Sequence, residues 1–122
     1  GDVYKRQAIA CVADQRTYDT IYQERYMNTP QDNPEGYVKG SPISHVEGLK
    51  GNLLLIHGTG DDNVHYQNCE LLVNELIRHG KIFSQVSYPM RSHGIYERPG
   101  TTLHLRKTMA KYWLDNLPAG PR

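Results

Sequence analysis

The stretch that decides the fold is LLLIHGTGDDN, residues 53–63. Its first four residues, Leu53–Ile56, are apolar without a polar alternation, which is typical of a strand buried on both faces of a parallel sheet. Two glycines break the strand, and Asp61 and Asp62 follow, just before a helical pattern begins. Two adjacent carboxylates at the mouth of a buried strand raise the question of which one, if either, takes part in chemistry.

The rest of the chain alternates strands with helices. Apolar runs predict strands at 8–13 and 82–89, and periodic apolar residues predict helices at 14–27, 65–81 and 101–117. Residues 28–44 read as a loop with turns, and a short helix is predicted within 41–49, with Ser41 as its N-cap. This order implies parallel pairing and an α/β fold, a parallel sheet with flanking helices.

The composition excludes several classes of function. The 122 residues form one domain or a piece of one, and 14 basic against 13 acidic residues give a net charge of +1, which offers no case for nucleic acid. No apolar run approaches the roughly 20 residues that span a bilayer. Cys11 and Cys69 sit in no C-x-x-C pattern and read as two small buried hydrophobes, with a single disulfide as the alternative.

Polar residues follow two neighbouring predicted strands at their carboxyl ends, where catalytic groups gather in α/β sheets. The aspartate pair follows the second strand, and His93 follows the third. Aspartate and then histidine is the order of the last two members of the Ser, Asp, His triad of α/β-hydrolases, in which histidine takes the serine proton and aspartate orients the imidazole.

Other readings of these residues stay open at this point. A loop histidine is often a surface residue, and an aspartate pair often caps the following helix. A metal site made of His57, Asp61 and His65 would need a helix there, which the intervening glycines oppose. No metal and no cofactor are predicted.

Three motifs then carry a family resemblance: HGTGDDNVHYQN at 57–68, YDTIYQERYM at 18–27 and HGIY at 93–96. Together they resemble the carboxyl-terminal part of the catalytic module of the prolyl oligopeptidase family, in its dipeptidyl peptidase IV branch. The resemblance implies a partial α/β-hydrolase over residues 8–117. It also implies that Asp61 is the triad aspartate, that Asp62 supports it by helping to cap the next helix, and that His93 is the base.

The resemblance also implies a proline pocket. Tyr18 and Tyr22 would form its aromatic walls, Asn63 would bind the backbone carbonyl of the substrate, and Val64 would lie against the proline ring. Tyr26 would make core or supporting contacts. Without the resemblance, the spacing of these tyrosines indicates only a helix face that packs on the core.

The chain departs from the family pattern in several places. None of its serines, which are Ser41, Ser44, Ser84, Ser87 and Ser92, stands in a Gly-x-Ser-x-Gly elbow, so the nucleophile is expected upstream and the chain alone is predicted inactive. Residues 1–7 are read as a scar or artefact and 118–122 as a tail. Gln15 and Cys11 replace a tryptophan and a proline that the family often has near the pocket.

The sequence therefore predicts a fragment of a serine exopeptidase that releases N-terminal dipeptides ending in proline or alanine through an acyl-enzyme. The alternative is a non-catalytic α/β-hydrolase-like binding or scaffold module. The expected partner is a peptide substrate, with a possible homodimer of the full-length protein through helix 101–117. The resemblance suggests a periplasmic or cell-surface location.

Overall fold

The computed structural model describes residues 5–117 as three layers around one sheet. The strands are β1 (Lys5–Ile9), β2 (Asn52–Gly58) and β3 (Ser84–Tyr88), and the helices are α1 (Thr20–Met27), α2 (Pro34–Gly40), α3 (Gln67–Arg78) and α4 (Thr101–Asn116), with 3₁₀ turns at Gln15–Thr17 and Pro42–Gly48. Both strand pairs are parallel and β2 is central, so the predicted α/β class is confirmed. Residues 1–4 and the predicted tail 118–122 lie outside the described part.

Strand β2 carries the core on both of its faces, as its apolar run predicts. Leu53 and Leu55 pack with Leu72 and Leu76 of α3 on one face. On the other face, Leu54 and Ile56 pack in one cluster with Leu105 and Tyr112 of α4. Because side chains alternate along a strand, one apolar run supplies the centre of both layers.

The first strand begins earlier than predicted, at Lys5 instead of Ala8, and ends at Ile9. Ala10 has a positive φ of 47°, and its N–H makes a last bond to the Ile56 carbonyl, after which the chain leaves the sheet. The Ala13 N–H then donates a hydrogen bond to Asn68 Oδ1 of α3 at 3.0 Å. The apolar run AIACVA thus crosses from the sheet edge onto α3.

The predicted loop at 28–44 contains a helix, α2. Asn33 caps it by accepting a hydrogen bond from Gly36 N–H at 3.1 Å, and Pro34 occupies the first turn. The predicted short helix at 41–49 is the 3₁₀ segment Pro42–Gly48, but Ser41 does not cap it with its side chain. The Ser41 hydroxyl instead donates to the Tyr37 carbonyl at 2.6 Å.

The helix faces agree with the predicted periodicity only in part. Leu72 and Leu76 of α3 are buried as expected, but Ile77 is 64% exposed. Helix α1 buries none of its residues, so the reading of its tyrosine face as core packing is wrong.

Both cysteines are free thiols. Across residues 5–117, no helix has the length and apolar character needed to cross a membrane.

Candidate active site

The Asp61 carboxylate lies in a tight turn just beyond the end of β2. Its side chain is fully buried, and Oδ1 accepts hydrogen bonds from the backbone N–H groups of Asn63 at 3.0 Å and Val64 at 2.9 Å. Two backbone donors on one oxygen fix the carboxylate and leave Oδ2 for other partners. Asp62 is exposed, and α3 has Tyr66 as its N-cap without a side-chain bond, so the prediction that Asp62 helps to cap this helix is wrong.

His93 lies on the loop after β3 and meets this free oxygen. Its Nδ1 is 2.9 Å from Asp61 Oδ2. Because a carboxylate oxygen in this position accepts, Nδ1 carries the proton and Nε2 keeps its lone pair. The His93 side chain is 42% exposed, and within residues 5–117 no group hydrogen-bonds to Nε2. A buried carboxylate therefore orients an imidazole whose other nitrogen keeps its lone pair on a partly exposed ring.

The two loops that carry these side chains are joined by backbone contacts. Thr59 N–H donates to the Tyr88 carbonyl at 2.9 Å, and Gly60 N–H donates to the Arg91 carbonyl at 3.1 Å. A Cβ on Gly58 would lie 2.3 Å from the Arg91 carbonyl oxygen, so only glycine allows this approach. The loop between β3 and α4 that carries His93, here called the histidine loop, therefore packs directly on the end of β2.

Glu97 fastens the other side of the histidine loop, a contact that the sequence analysis missed. Its carboxylate accepts hydrogen bonds from Ser92 N–H at 2.9 Å and from Tyr96 N–H at 3.2 Å. The Ser92 side chain contributes most to lowering the pKa of Glu97 to about 2, and the backbone N–H groups of Glu97, Ser92 and Tyr96 lower it further. Between the two donors, Ile95 is 1% exposed and has a φ of 49°, an unusual backbone for a β-branched residue. No sequence signal links Glu97 to His93, because the contact depends on the shape of the loop.

The metal alternative finds no support in the side-chain arrangement. His65 is exposed, while His57 and Asp61 are buried beside each other. In the described part of the chain, no group of three or more His, Cys, Asp or Glu side chains is arranged to hold a metal ion. His57 instead lies against the Asp61 turn, with Nε2 2.8 Å from the Val64 carbonyl.

The predicted pocket residues come together at the mouth of the site. The Tyr18 hydroxyl donates to Asn63 Oδ1 at 2.9 Å, which joins the tyrosine segment to the Asp61 turn. The Tyr18 and Tyr22 rings meet edge to face with centroids 5.7 Å apart. Tyr22 is 58% exposed, whereas Val64 is buried. Tyr18, Tyr22 and Asn63 therefore form one connected aromatic and amide surface, and Val64 is buried in the adjacent turn.

Tyr26 extends the row of tyrosines away from the site. Its ring centroid is 5.2 Å from that of Tyr22, and its side chain is exposed. The Arg25 guanidinium lies 5.8 Å from the Tyr26 ring centroid. Of the two predicted roles, core packing is wrong, and the observed contact is with Tyr22.

Gln15 and Cys11, which replace the usual family residues, take up different positions. Gln15 Nε2 donates to the Gly40 carbonyl at 3.0 Å, and its Oε1 accepts from Gln23 at 2.7 Å. Cys11 packs against the core and lines a cavity of about 920 Å³ on the α3 side of the sheet, together with Leu53. None of the candidate site residues lines this cavity, and burial raises the pKa of the Cys11 thiol.

Comparisons with known proteins agree on one family. The sequence pattern of the prolyl oligopeptidase family, Peptidase_S9, matches residues 4–119. The chain is 49% identical over 92 residues to "Probable dipeptidyl-aminopeptidase B" of Colletotrichum graminicola, which covers 73% of this chain and 10% of that protein. It is 40% identical over 111 residues to "Venom dipeptidyl peptidase 4" of Vespula vulgaris, covering 88% of this chain and 14% of that protein.

A solved structure shows the same arrangement of helices and strands. The crystal structure of Porphyromonas gingivalis dipeptidyl peptidase 4 superposes with a TM-score of 0.90 at 40% sequence identity, and the match covers 93% of this chain and 16% of that one. The chain thus spans a small part of the length of each of these relatives. With the family pattern matched over nearly every residue, the chain belongs to the prolyl oligopeptidase family.

Proposed function

We propose that this chain supplies the aspartate and the histidine of the catalytic triad of a serine-type dipeptidyl peptidase. The observation that carries the proposal is the 2.9 Å contact between His93 Nδ1 and Asp61 Oδ2, with Asp61 buried and the outer face of His93 open. The dipeptidyl peptidases among the matched relatives support the reaction class.

The chemistry follows from the tautomer that Asp61 imposes. With its proton on Nδ1, His93 accepts the proton of a serine hydroxyl at Nε2 while the serine oxygen attacks the scissile carbonyl. The resulting imidazolium is stabilised by the Asp61 carboxylate and returns its proton to the leaving amine. Water then hydrolyses the acyl-enzyme in a second cycle of the same proton transfers.

The nucleophile belongs, in this proposal, to polypeptide outside these 122 residues. No serine of the sequence stands in a Gly-x-Ser-x-Gly elbow, and the match to the P. gingivalis enzyme covers 16% of that chain. The 122-residue chain by itself is therefore expected to have no peptidase activity.

The substrate we propose is a peptide whose second residue is proline or alanine. Flat aromatic walls suit a rigid apolar ring, and Tyr18 and Tyr22 present such walls beside the Asp61 turn. The Asn63 amide, held by the Tyr18 hydroxyl, would donate to the backbone carbonyl of the substrate. Val64 would contribute an apolar floor beneath them.

A segment exchange tests the proposal with this chain's own residues. Residues 8–117 would replace the matching segment of the P. gingivalis enzyme, and the chimera would be assayed for cleavage of Gly-Pro-p-nitroanilide. We expect a folded, active chimera that His93→Ala inactivates, while His65→Ala, at an exposed site just after the Asp61 turn, leaves its rate unchanged. A folded chimera without activity, or one indifferent to His93→Ala, would refute the triad assignment.

We also propose that the full-length protein forms a homodimer through α4. Leu103 and Leu114 on this helix are 60% and 80% exposed, and their spacing in the helix places both side chains on one face. Sedimentation of the chimera should give a dimer that a Leu103→Lys, Leu114→Lys variant converts to a monomer. An unchanged dimer in that variant would place the interface elsewhere.

A further inference from the structure

His57 is a buried imidazole that the triad chemistry does not use. It lies in β2, its side chain is 1% exposed, and its ring meets the Tyr66 ring edge to face with centroids 5.6 Å apart. Its Nε2 atom faces two oxygen atoms, the Val64 carbonyl at 2.8 Å and Asp61 Oδ2 at 3.2 Å. Both neighbours belong to the turn that presents the carboxylate to His93.

The two oxygens decide where the His57 proton is. A carbonyl and a carboxylate can only accept in these contacts, so Nε2 must donate and carries the hydrogen. The shorter contact makes the Val64 carbonyl the main acceptor. Asp61 Oδ2 lies 3.2 Å from the same nitrogen and accepts the Nδ1–H of His93.

The His57 N–H fixes the part of the turn that the backbone hydrogen bonds do not hold, which is the Val64 carbonyl. Asp61 Oδ1 is fixed by the N–H groups of Asn63 and Val64, and the peptide that follows is fixed because its carbonyl binds His57. Without that donor, the buried Val64 carbonyl would lose its partner, and the turn would shift to find another. A shift of the turn would move Oδ2 relative to His93.

We propose that His57 is a positioning residue that, as the Nε2–H tautomer, holds the Val64 carbonyl and Oδ2 of Asp61 in the place where His93 is oriented. The proposal rests on the proposed role of the Asp61–His93 pair. His57 acts through Asp61 and does not touch the substrate. Its effect on the reaction is the alignment of His93.

The first test is a nitrogen-15 NMR spectrum of the imidazoles in the 122-residue chain, which needs no serine. We expect the Nε2–H tautomer at His57 and the Nδ1–H tautomer at His93. In His57→Leu, His93 should become a mixture of tautomers, whereas in His57→Gln, which keeps a donor near the Nε2 position, His93 should stay as Nδ1–H. His65→Gln is the matched control and should change neither ring.

Two results would overturn the proposal in this test. One is the Nδ1–H tautomer at His57 in the unmodified chain. The other is a His93 tautomer that is the same in His57→Leu as in the unmodified chain. Both can be read whether or not the chain is part of a peptidase.

The second test is the kinetics of the chimera described above, with active sites counted by a covalent serine reagent. Because a misplacement of about 1 Å costs about 100-fold in rate, we expect His57→Leu to lower kcat per titrated site by about 10- to 100-fold with little change in KM. His57→Gln should recover most of this loss. If His57→Leu leaves kcat per titrated site unchanged, the positioning role of His57 is rejected. If the unmodified chimera folds but is inactive, the proposed function is rejected, and the NMR result alone decides the role of His57.

Discussion

Substitution of Gly58 by alanine should disturb the end of the sheet that carries Asp61 and His93 without changing either side chain. A Cβ at this position would lie 2.3 Å from the Arg91 carbonyl oxygen and 2.7 Å from that of Ser92. Both atoms are backbone, so the contact is relieved only if the histidine loop moves away by about 1 Å. Overpacking of this kind typically costs about 1–3 kcal/mol, and rigid backbone on the opposite side places Gly58→Ala at about 3 kcal/mol in the free energy of unfolding.

Two other glycines provide a graded control. A Cβ on Gly60 would be 3.2 Å from the nearest Met90 atom, so Gly60→Ala should cost less, about 1 kcal/mol. A Cβ on Gly48 would meet nothing within 4 Å, so Gly48→Ala should stay within about 0.5 kcal/mol of the unmodified chain.

Urea denaturation of the three variants measures the series, and kcat of the chimera reports the displacement of His93. We expect stability to fall in the order Gly48→Ala, Gly60→Ala, Gly58→Ala. If Gly58→Ala were as stable as Gly48→Ala, the close seating of the histidine loop on β2 would be refuted.

The remaining predictions concern the carboxylates and can be measured in the same proteins. Asp61→Asn in the chimera should lower kcat by about 1,000-fold or more, because the amide can no longer hold His93 in the Nδ1–H tautomer. Asp62→Asn, at an exposed position, should have little effect on kcat. The opposite ranking of the two variants in the peptide assay would contradict the assignment of Asp61. Glu97→Gln should reduce the stability of the chain at neutral pH. Since the pKa of Glu97 is lowered to about 2, its stabilising bonds are complete above the ordinary value of 4.5 and are lost as the pH falls from there towards 2. Urea midpoints of Glu97→Gln and the unmodified chain should therefore converge near pH 2, and a gap of constant size down to that pH would contradict the role of Glu97.

The central strand and the facing loops could be predicted because their causes are local in the sequence. The apolar run of β2 is buried on both faces, which only a covered parallel sheet provides. Because parallel strands end at one edge of a sheet, the sequence predicts that Asp61 and His93 approach each other. The observed register, which pairs Gly58 with Tyr88, places the two loops side by side. Their contact itself is visible only in the structure.

The misplaced elements have identifiable physical reasons. The first strand was placed too late because the apolar run after it packs on α3 instead of in the sheet. Helix α2 was missed because its proline and glycines read as loop residues, although Asn33 followed by Pro34 is a regular helix start. The spacing of the tyrosines around α1 indicates core packing when it is taken without the family resemblance, because periodicity alone does not say what a helix face meets.

The supporting residues of the site were beyond the reach of sequence reasoning. His57 is part of a recognised motif, but its role depends on the direction of a carbonyl seven residues later. Glu97 binds backbone N–H groups on both sides of His93, and such bonds follow from loop conformation and not from residue spacing. Propensity and periodicity describe elements, whereas these contacts arise where elements end.

The bonds that tie the loop after β2 to the loop after β3 also restrict how this protein can change over generations. Thr59 and Gly60 pair with backbone atoms of Tyr88 and Arg91, so a residue inserted or deleted in either loop would break the pairing in both. Length variation should therefore be tolerated only as matched changes in the two loops. Helix α1, which buries no residue, has no such restriction, so substitutions should accumulate there while Asp61 and His93 are inherited as one unit.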